Sequence, residues 1–596
     1  MRFALAVVFA WVCLAGCGPG AARPPACSAV STSAAGPSAA LQALFSAEWN
    51  HEMAEWPTRA SGLGDHRFDD RWPDMSPAAF QRRAAHARDV AGRAHAFDPS
   101  RLTPEDRLSL ELFTRQADVE VEGEPYRLWH LVLDQREGIQ TADDLASALP
   151  FDDARAYEAW IARMKALPAY VDQTVATMRE GVAERIVQPR VAMARVPAQI
   201  ARQLVDDPEA SPFWAPFRRM PTSLPAGEAD RLKSAARAAL AGSVVPAYRR
   251  FAEFFTKEYL PACFSAVGAW QLPRGAEAYA YLARLHTTTR LTPDEIHALG
   301  LREVARIRSE MLALLTRVGF KGGLPEFFAW LRSDPQFFYA DPKALLEGYE
   351  AVAKRIDPRL VTQFRTLPRT PYGVLAIPDA VAPDTTTAYY REPSPDGSRA
   401  GTFFVNLYRP EARPRWEMLT LALHESVPGH HLQIALASEQ TDLPAFRRFG
   451  SYSAFVEGWG VYAESLGDDM GLYDDPYSKF GQLAYQMWRS VRLVVDTGMH
   501  AMRWPRQQAV DYFLENAPKT ALDVDNEVDR YIAWPAQALA YKLGQLEILR
   551  LRERARSELG PRFDVKAFHD VVLREGALPL DVLAARVDAW IAGTKG

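Results

Sequence analysis

From about residue 41 onward, apolar residues return every three or four positions over most of the chain, the spacing that lines one face of a helix. Leu41 to Trp56 is amphipathic and stops at Pro57. The same period recurs over 155–180, 227–258, 343–355, 415–438, 453–466, 478–502, 506–516 and 535–558. Thr103-Pro104 and Thr292-Pro293 each put an N-cap threonine ahead of a proline at the first helical position. Glu295 completes a capping box with Thr292 and opens a helix toward Leu315. Strand signals are few. Thr402 to Leu407, between the Pro395-Asp396-Gly397 turn signal and Arg409-Pro410, is the best, and Leu128 to Leu133 is weaker. The pattern predicts a mainly α fold with a small β-sheet. There is no repeat with a period of 20–50 residues.

Composition narrows the class of protein. The chain of 596 residues is 48% hydrophobic and 24% charged, as globular proteins are. Its net charge is -5, and Arg2 is the one charged side chain before Cys17, so a chain starting there carries -5 - 1 = -6. A mildly acidic surface gives no reason to expect nucleic acid or an anionic membrane as partner. Phe3 to Leu14 is apolar but too short to span a bilayer, and it ends in Leu14-Ala15-Gly16-Cys17, which resembles the bacterial lipobox. Residues 1–16 are therefore expected to be a lipoprotein signal peptide, with Cys17 lipidated. Residues 17–40, rich in Ala, Gly, Pro and Ser, would be a flexible tether. An ordinary secretory signal is the alternative. Gly18 stands where inner-membrane lipoproteins carry Asp, and by that resemblance the destination is the outer membrane, with the body in the periplasm or at the cell surface. Membrane contact is expected through this anchor only. Cys13 leaves with the signal, which leaves Cys27 and Cys263, and a structural disulfide between them is not expected.

The chemistry concentrates in His424-Glu425-Ser426-Val427-Pro428-Gly429-His430-His431. A zinc hydrolase needs two or three imidazoles or carboxylates on the metal, an open position, and a carboxylate to take a proton from water. The usual helical solution is His-Glu-x-x-His. Here His430 is six residues from His424, which on an unbroken helix means a rise of about 9 Å and a face roughly 120° away. His431 returns to the same face but about 10.5 Å away. Either the helix bulges or the run is no metal site. Pro428 cannot donate to the carbonyl of His424, and Gly429 tolerates unusual backbone angles. A bulge at Pro428-Gly429 would absorb two residues, make His424 and His430 equivalent to the usual pair, and leave Glu425 as general base. His431 is the fallback second ligand. The expanded spacing is similar to that of dipeptidyl peptidase III, which has one inserted residue.

A third ligand is expected from Val456-Glu457-Gly458-Trp459-Gly460. This segment resembles the Asn-Glu-Gly-Phe-Ala stretch that supplies the zinc glutamate in leukotriene-hydrolase-type aminopeptidases, so Glu457 is the candidate. Gly458 and Gly460 would allow close approach, and Glu464, seven residues on, could orient a ligand histidine. No Gly-rich phosphate loop and no Gly-x-Ser-x-Gly elbow is present.

Further segments carry a wider resemblance: Leu285-His286-Thr287-Thr288-Thr289, Ser394 to Arg399, the strand to Asn406, His424 to Gln433, Glu457-Gly458-Trp459, Asp496-Thr497-Gly498-Met499-His500 and Tyr531 to Gly544. In these the chain resembles the bacterial domain-of-unknown-function 885 family. The resemblance implies a large two-lobed, mainly helical metallopeptidase-like fold, similar to zinc peptidases of the gluzincin type, with the small sheet near the active-site cleft. It places one helical domain over 41–590, its N-terminal lobe about 41–375 and its catalytic lobe about 376–590. It also implies that His500 and Tyr541 could donate to an oxyanion and that Arg492 could bind a substrate carboxylate. The strand through Asn406 could offer a sheet edge to an extended peptide, or could be internal. The expected protein is a metallopeptidase with one zinc ion on His424, His430 and Glu457, acting on a peptide or small amide. A zinc hydrolase of a non-peptide ester or amide, and a non-catalytic envelope lipoprotein, are the alternatives.

Overall fold

The computed structural model describes residues 36–379, 382, 386–395, 397 and 399–596. Residues 1–16, Cys17 and most of the expected tether lie outside them. A helix already starts at Pro37 and runs to Glu55, so residues 37–40 belong to the folded body and not to a tether. Helices hold 71% of the chain, which makes the class mainly α.

The expected start signals act as read. Thr103 Oγ1 accepts from the backbone N–H of Asp106, and Thr292 and Glu295 form the reciprocal capping box. The helix Pro293–Arg317 packs along another that spans Pro476–His500. Gly300 permits the approach, because a Cβ there would sit 2.8 Å from both Leu493 and Val494. Two large buried clusters fill the interior. One gathers around Trp160, Tyr248, Phe480 and Val494, the other around Phe113, Leu423, Trp459 and Phe568. Each draws side chains from both sides of residue 375.

The sheet has three strands, β1 (Tyr372–Ala376), β2 (Ala388–Arg391) and β3 (Gly401–Val405), in the order β1-β3-β2. Tyr372 pairs with Gly401 in the parallel half and Ala388 with Val405 in the antiparallel half. The best strand candidate is therefore the central strand. Both its edges are taken by β1 and β2, and β3 has no edge to offer a peptide. The weaker candidate, Leu128 to Leu133, is not a strand. Leu128–His130 forms a single 3₁₀ turn, which leads into an irregular segment.

Five helices, the one over Pro476–His500 among them, frame the cleft. They are α1 (Arg415–Glu425), α2 (His430–Ser438), α3 (Ser453–Asp469), α4 (Pro476–His500) and α5 (Ala540–Leu559). Helix α3 is buried on almost every face and crosses α5 where Gly458 meets Gly544. A Cβ on Gly544 would stand 1.8 Å from the carbonyl oxygen of Ala454, and one on Gly458 would stand 2.5 Å from the Cα of Gly544. Neither obstacle is a flexible side chain, so backbone would have to move. Gly544→Ala is expected to destabilise the protein by about 1–3 kcal/mol, the usual range for overpacking. Urea unfolding monitored by tryptophan fluorescence measures it, and an unchanged midpoint would show that the crossing is looser than described.

Candidate metal centre

The helical pattern over 415–438 is interrupted. Helix α1 ends at Glu425 and α2 begins at His430. The interruption is larger than the expected bulge. Ser426 and Gly429 leave the helical region, with ψ of -116° and -127°, and the Val427-Pro428 peptide is cis. The N–H of Ser426 makes the last bond of α1, to Ala422, and the N–H of His431 then reaches the carbonyl of Ser426 at 3.0 Å. Gly429 folds tightly onto α1, where a Cβ would lie 1.9 Å from the carbonyl oxygen of His424. The outcome is the one the bulge was invoked to produce. The His424 and His430 rings lie 4.7 Å apart, nearly perpendicular.

Glu457 on α3 completes the group. Its Oε2 is 3.6 Å from the Nε2 atoms of both histidines, and one ligand atom from each residue lies within 4.8 Å of the others. At 3.6 Å these are not hydrogen bonds. They match the spacing of ligands sharing one ion: two donors about 2.0–2.1 Å from a tetrahedral metal are about 3.4 Å apart. All three residues are buried. Burial alone would raise the Glu457 carboxyl, but its contacts with the two imidazoles hold it well below the usual carboxylate range. Burial would likewise lower His424, yet Glu457 and Glu464 bring it up to about 9. A cation entering this group would displace that proton.

Each residue of Glu457-Gly458-Trp459-Gly460 has its own task. Glu457 faces the histidines. Gly458 permits the crossing with α5. Trp459 donates through Nε1 to the carbonyl of Pro428 at 2.8 Å and pins the break between α1 and α2. Gly460 leaves room for the His424 ring, which a Cβ would approach to 2.7 Å. One turn on, fully buried Glu464 accepts from His424 Nδ1 at 2.9 Å and pairs with Arg489 at 3.2 Å. That bond fixes the tautomer and leaves Nε2 free to bind an ion.

His431 is held elsewhere. Its Nδ1 accepts from Tyr390 at 2.8 Å and its Nε2 donates to the carbonyl of Thr370 at 3.0 Å. With both nitrogens occupied it is an anchor between α2 and the sheet, and of the two histidines it is His430 that stands with His424 and Glu457.

The triad opens on a cavity of about 480 Å³. Glu425, Tyr541 and Arg492 line it with the three candidate ligands. Burial pushes the Glu425 carboxyl up more than the neighbouring imidazoles pull it down. Burial also raises the Tyr541 phenol, and the charge of Glu457 adds to the effect.

Two sequence candidates are not brought to the cavity. His500 takes the N–H of Ala269 on Nδ1 and donates through Nε2 to the carbonyl of Tyr531. Both ring nitrogens are spent on backbone groups, so it is not placed to meet an oxyanion. Asn406 donates to the carbonyls of Ala382 and Thr386 and accepts from the N–H of Tyr408, which holds a loop and leaves no contact for a substrate. The sequence reading missed Arg489. The signal was present: Arg489, Arg492 and Asp496 form a polar stripe at helical spacing in the apolar stretch of α4.

The family model for bacterial proteins of unknown function, DUF885, matches residues 57–587. The chain belongs to this family. A candidate lipoprotein of Colwellia psychrerythraea, whose crystal structure is known, is similar at 28% identity with a TM-score of 0.89, over 94% of this chain and 100% of that one. A candidate lipoprotein of unknown function from Shewanella oneidensis shares the fold at 18% identity and a TM-score of 0.70, over 92% and 99% of the two chains. No curated protein matches. Among the described residues of this DUF885 member, no helix is long and apolar enough to cross a membrane.

Glu464→Gln keeps the shape of the side chain but weakens its hold on His424, and should lower metal affinity about 10- to 100-fold. A competitive chelator titration reads this, and unchanged affinity would remove Glu464 from the site. Burial lowers the three buried rings of His286, His500 and His569 to about 4. Between pH 6.5 and 4 these three positions thus bind more protons in the unfolded chain than in the folded one. Their part of the stability is complete above pH 6.5 and falls as the pH drops, by about 2 kcal/mol for each ring at pH 5. NMR titration of the ring protons tests it, and rings that titrate near pH 6.5 would contradict their burial.

Proposed function

We propose that this protein is a zinc-dependent hydrolase and that its substrate bond is a peptide bond. One observation carries the reading: a His-His-Glu ligand group and an adjacent, cavity-lining glutamate converge on one pocket. Three protein ligands with an open side are the pattern of catalytic zinc, whereas structural zinc is closed by four. Two imidazole nitrogens and a carboxylate oxygen suit zinc among the divalent ions. The two-lobed architecture of gluzincin-type peptidases is the arrangement the reading implies. Zinc held by His424, His430 and Glu457 would supply a Lewis acid and make water acidic enough to attack at neutral pH.

The protein's own groups supply the rest. Glu425 takes a proton from the attacking water and returns it to the leaving amine. The raised carboxyl pKa suits it to carry that proton between the two steps. Tyr541 offers a phenol hydrogen bond to the oxyanion, because its high pKa keeps it protonated. Arg489 and Glu464 hold His424 in the tautomer that presents Nε2. The body is tethered to the outer membrane by a lipid on Cys17, in keeping with the lipoprotein descriptions of the Colwellia and Shewanella proteins.

Glu425→Gln decides the base assignment. The variant should keep about one equivalent of zinc and lose about 10²- to 10⁴-fold in hydrolysis of a peptide library, the range for a general base. Metal analysis and mass spectrometry of the digests check both halves. A fully active variant excludes Glu425 as base, and failure of the native protein to hold zinc after add-back excludes the metal reading.

A further inference from the structure

The cavity has a second charged wall. Arg489 and Arg492 reach it from α4, Arg530 from the helix Ala521–Ala533, and Arg136 from the irregular segment after His130. Glu527 lies among them. Its Oε2 accepts from Arg492 at 3.0 Å and from Arg530 at 2.9 Å, and Arg136 stands 3.8 Å from its Oε1. Arg489 is paired with Glu464. Four guanidiniums thus share two carboxylates. Asp134 and Glu137 sit on the same wall. Burial raises both, Glu137 to about 8, so Glu137 carries a proton at neutral pH. Counting Asp134 as ionised still leaves one positive charge over.

Such an excess is costly unless an anion answers it. Arg489, Arg492 and Arg530 are each only 4% exposed. Arg489 Nε and Nη1, Arg492 Nη1 and Arg530 Nε meet no hydrogen-bond partner among the described residues. The wall is also preorganised. Arg492 lies 4.3 Å over the Tyr541 ring and 4.9 Å over Trp488, and Arg489 lies 4.6 Å over Tyr485. Tyr541 joins the two walls, for it feels the charge of Glu457 on one side and stacks on Arg492 on the other.

We propose that this arginine wall is a carboxylate subsite, which takes the free C-terminus or an acidic side chain of a peptide bound across the metal centre. The inference rests on the hydrolase reading for the peptide's chemistry, but its test does not require cleavage. Guanidinium forks recognise carboxylates in a planar, two-point geometry, and stacking holds them ready for it. A subsite within one substrate of the metal would make the enzyme cut near a free C-terminus or beside an acidic residue.

The test compares ligands and leaves the wall intact. Zinc-loaded Glu425→Gln protein is titrated calorimetrically with one short peptide in three forms: C-terminal acid, C-terminal amide, and amide with a glutamate in the last position. The acid should bind at least about tenfold more tightly than the amide, the loss expected for one charge-assisted contact. If the glutamate restores the affinity of the amide, the subsite accepts a side-chain carboxylate. If it does not, the subsite is specific for the C-terminus. Equal affinity of acid and amide, or no binding of any form, overturns the proposal. Arg492→Lys keeps the charge but loses the fork, and should erase most of the preference. The native enzyme given the same peptides separates the two claims. Selective binding without cleavage would leave the subsite standing and remove the hydrolase, and cleavage indifferent to the carboxylate would do the reverse.

Discussion

An uninterrupted helix from Arg415 to Ser438 would point His424 and His430 roughly 120° apart, and no ion could join them. The site depends on breaking that helix at one place and holding the break rigid. Gly429 lies so close to the end of α1 that no side chain could replace its hydrogen. The indole of Trp459 then fixes the carbonyl of Pro428, and His431 ties the start of α2 to the sheet. Neither α1 nor α2 can swing without breaking buried hydrogen bonds, and so the perpendicular pair of rings is set by the fold before any ligand arrives.

The same economy governs α3. A buried helix that presents a carboxylate must approach its neighbours closely, and side chains stand in the way. Glycine at 458 and 460 removes the obstruction on two sides, toward α5 and toward the ring of His424. The helix propensity lost at two glycines is about 2 kcal/mol, and tertiary burial on nearly every face of α3 compensates for it. Glu457 and Glu464 differ by seven residues and so share a face. One meets the candidate ion position, while the other meets the back of the first histidine and Arg489.

How much of this could be read from the chain depends on the range of the contact. Caps and breaks are local, and Thr103, Thr292 and Pro428-Gly429 were legible for that reason. The ligand set was legible because an arithmetic conflict, six residues where four were needed, allowed an ion to be shared only if the helix broke. What failed was long-range. The strand through Asn406 reads the same whether its edges are free or taken, and only its pairing with β1 and β2 decides that Asn406 is structural. His500 carries the same imidazole as His424. Its partners, Ala269 and Tyr531, are distant backbone groups that no local pattern reveals. Arg489 was readable in principle as part of a polar stripe, yet its partner Glu464 lies on another helix.

The two charged walls of the cavity are parts of one electrostatic arrangement. Glu425 and Glu457, with Glu464 behind His424, gather negative charge at one end, where a divalent cation would be held, and Arg136, Arg492 and Arg530 gather positive charge at the other around Glu527. Left alone, each end would be a buried excess of one sign, and burial makes such an excess expensive. Arg489 and Tyr541 stand between them. Arg489 bonds the carboxylate that orients His424, and Tyr541 stacks on Arg492 while it faces Glu457. A ligand with a polarisable carbonyl at one point and a carboxylate further along would satisfy both ends at once. A cation alone or an anion alone would satisfy one. On the proposed reading the pocket is therefore most complementary to a molecule carrying both groups, and a peptide with a free carboxylate is such a molecule.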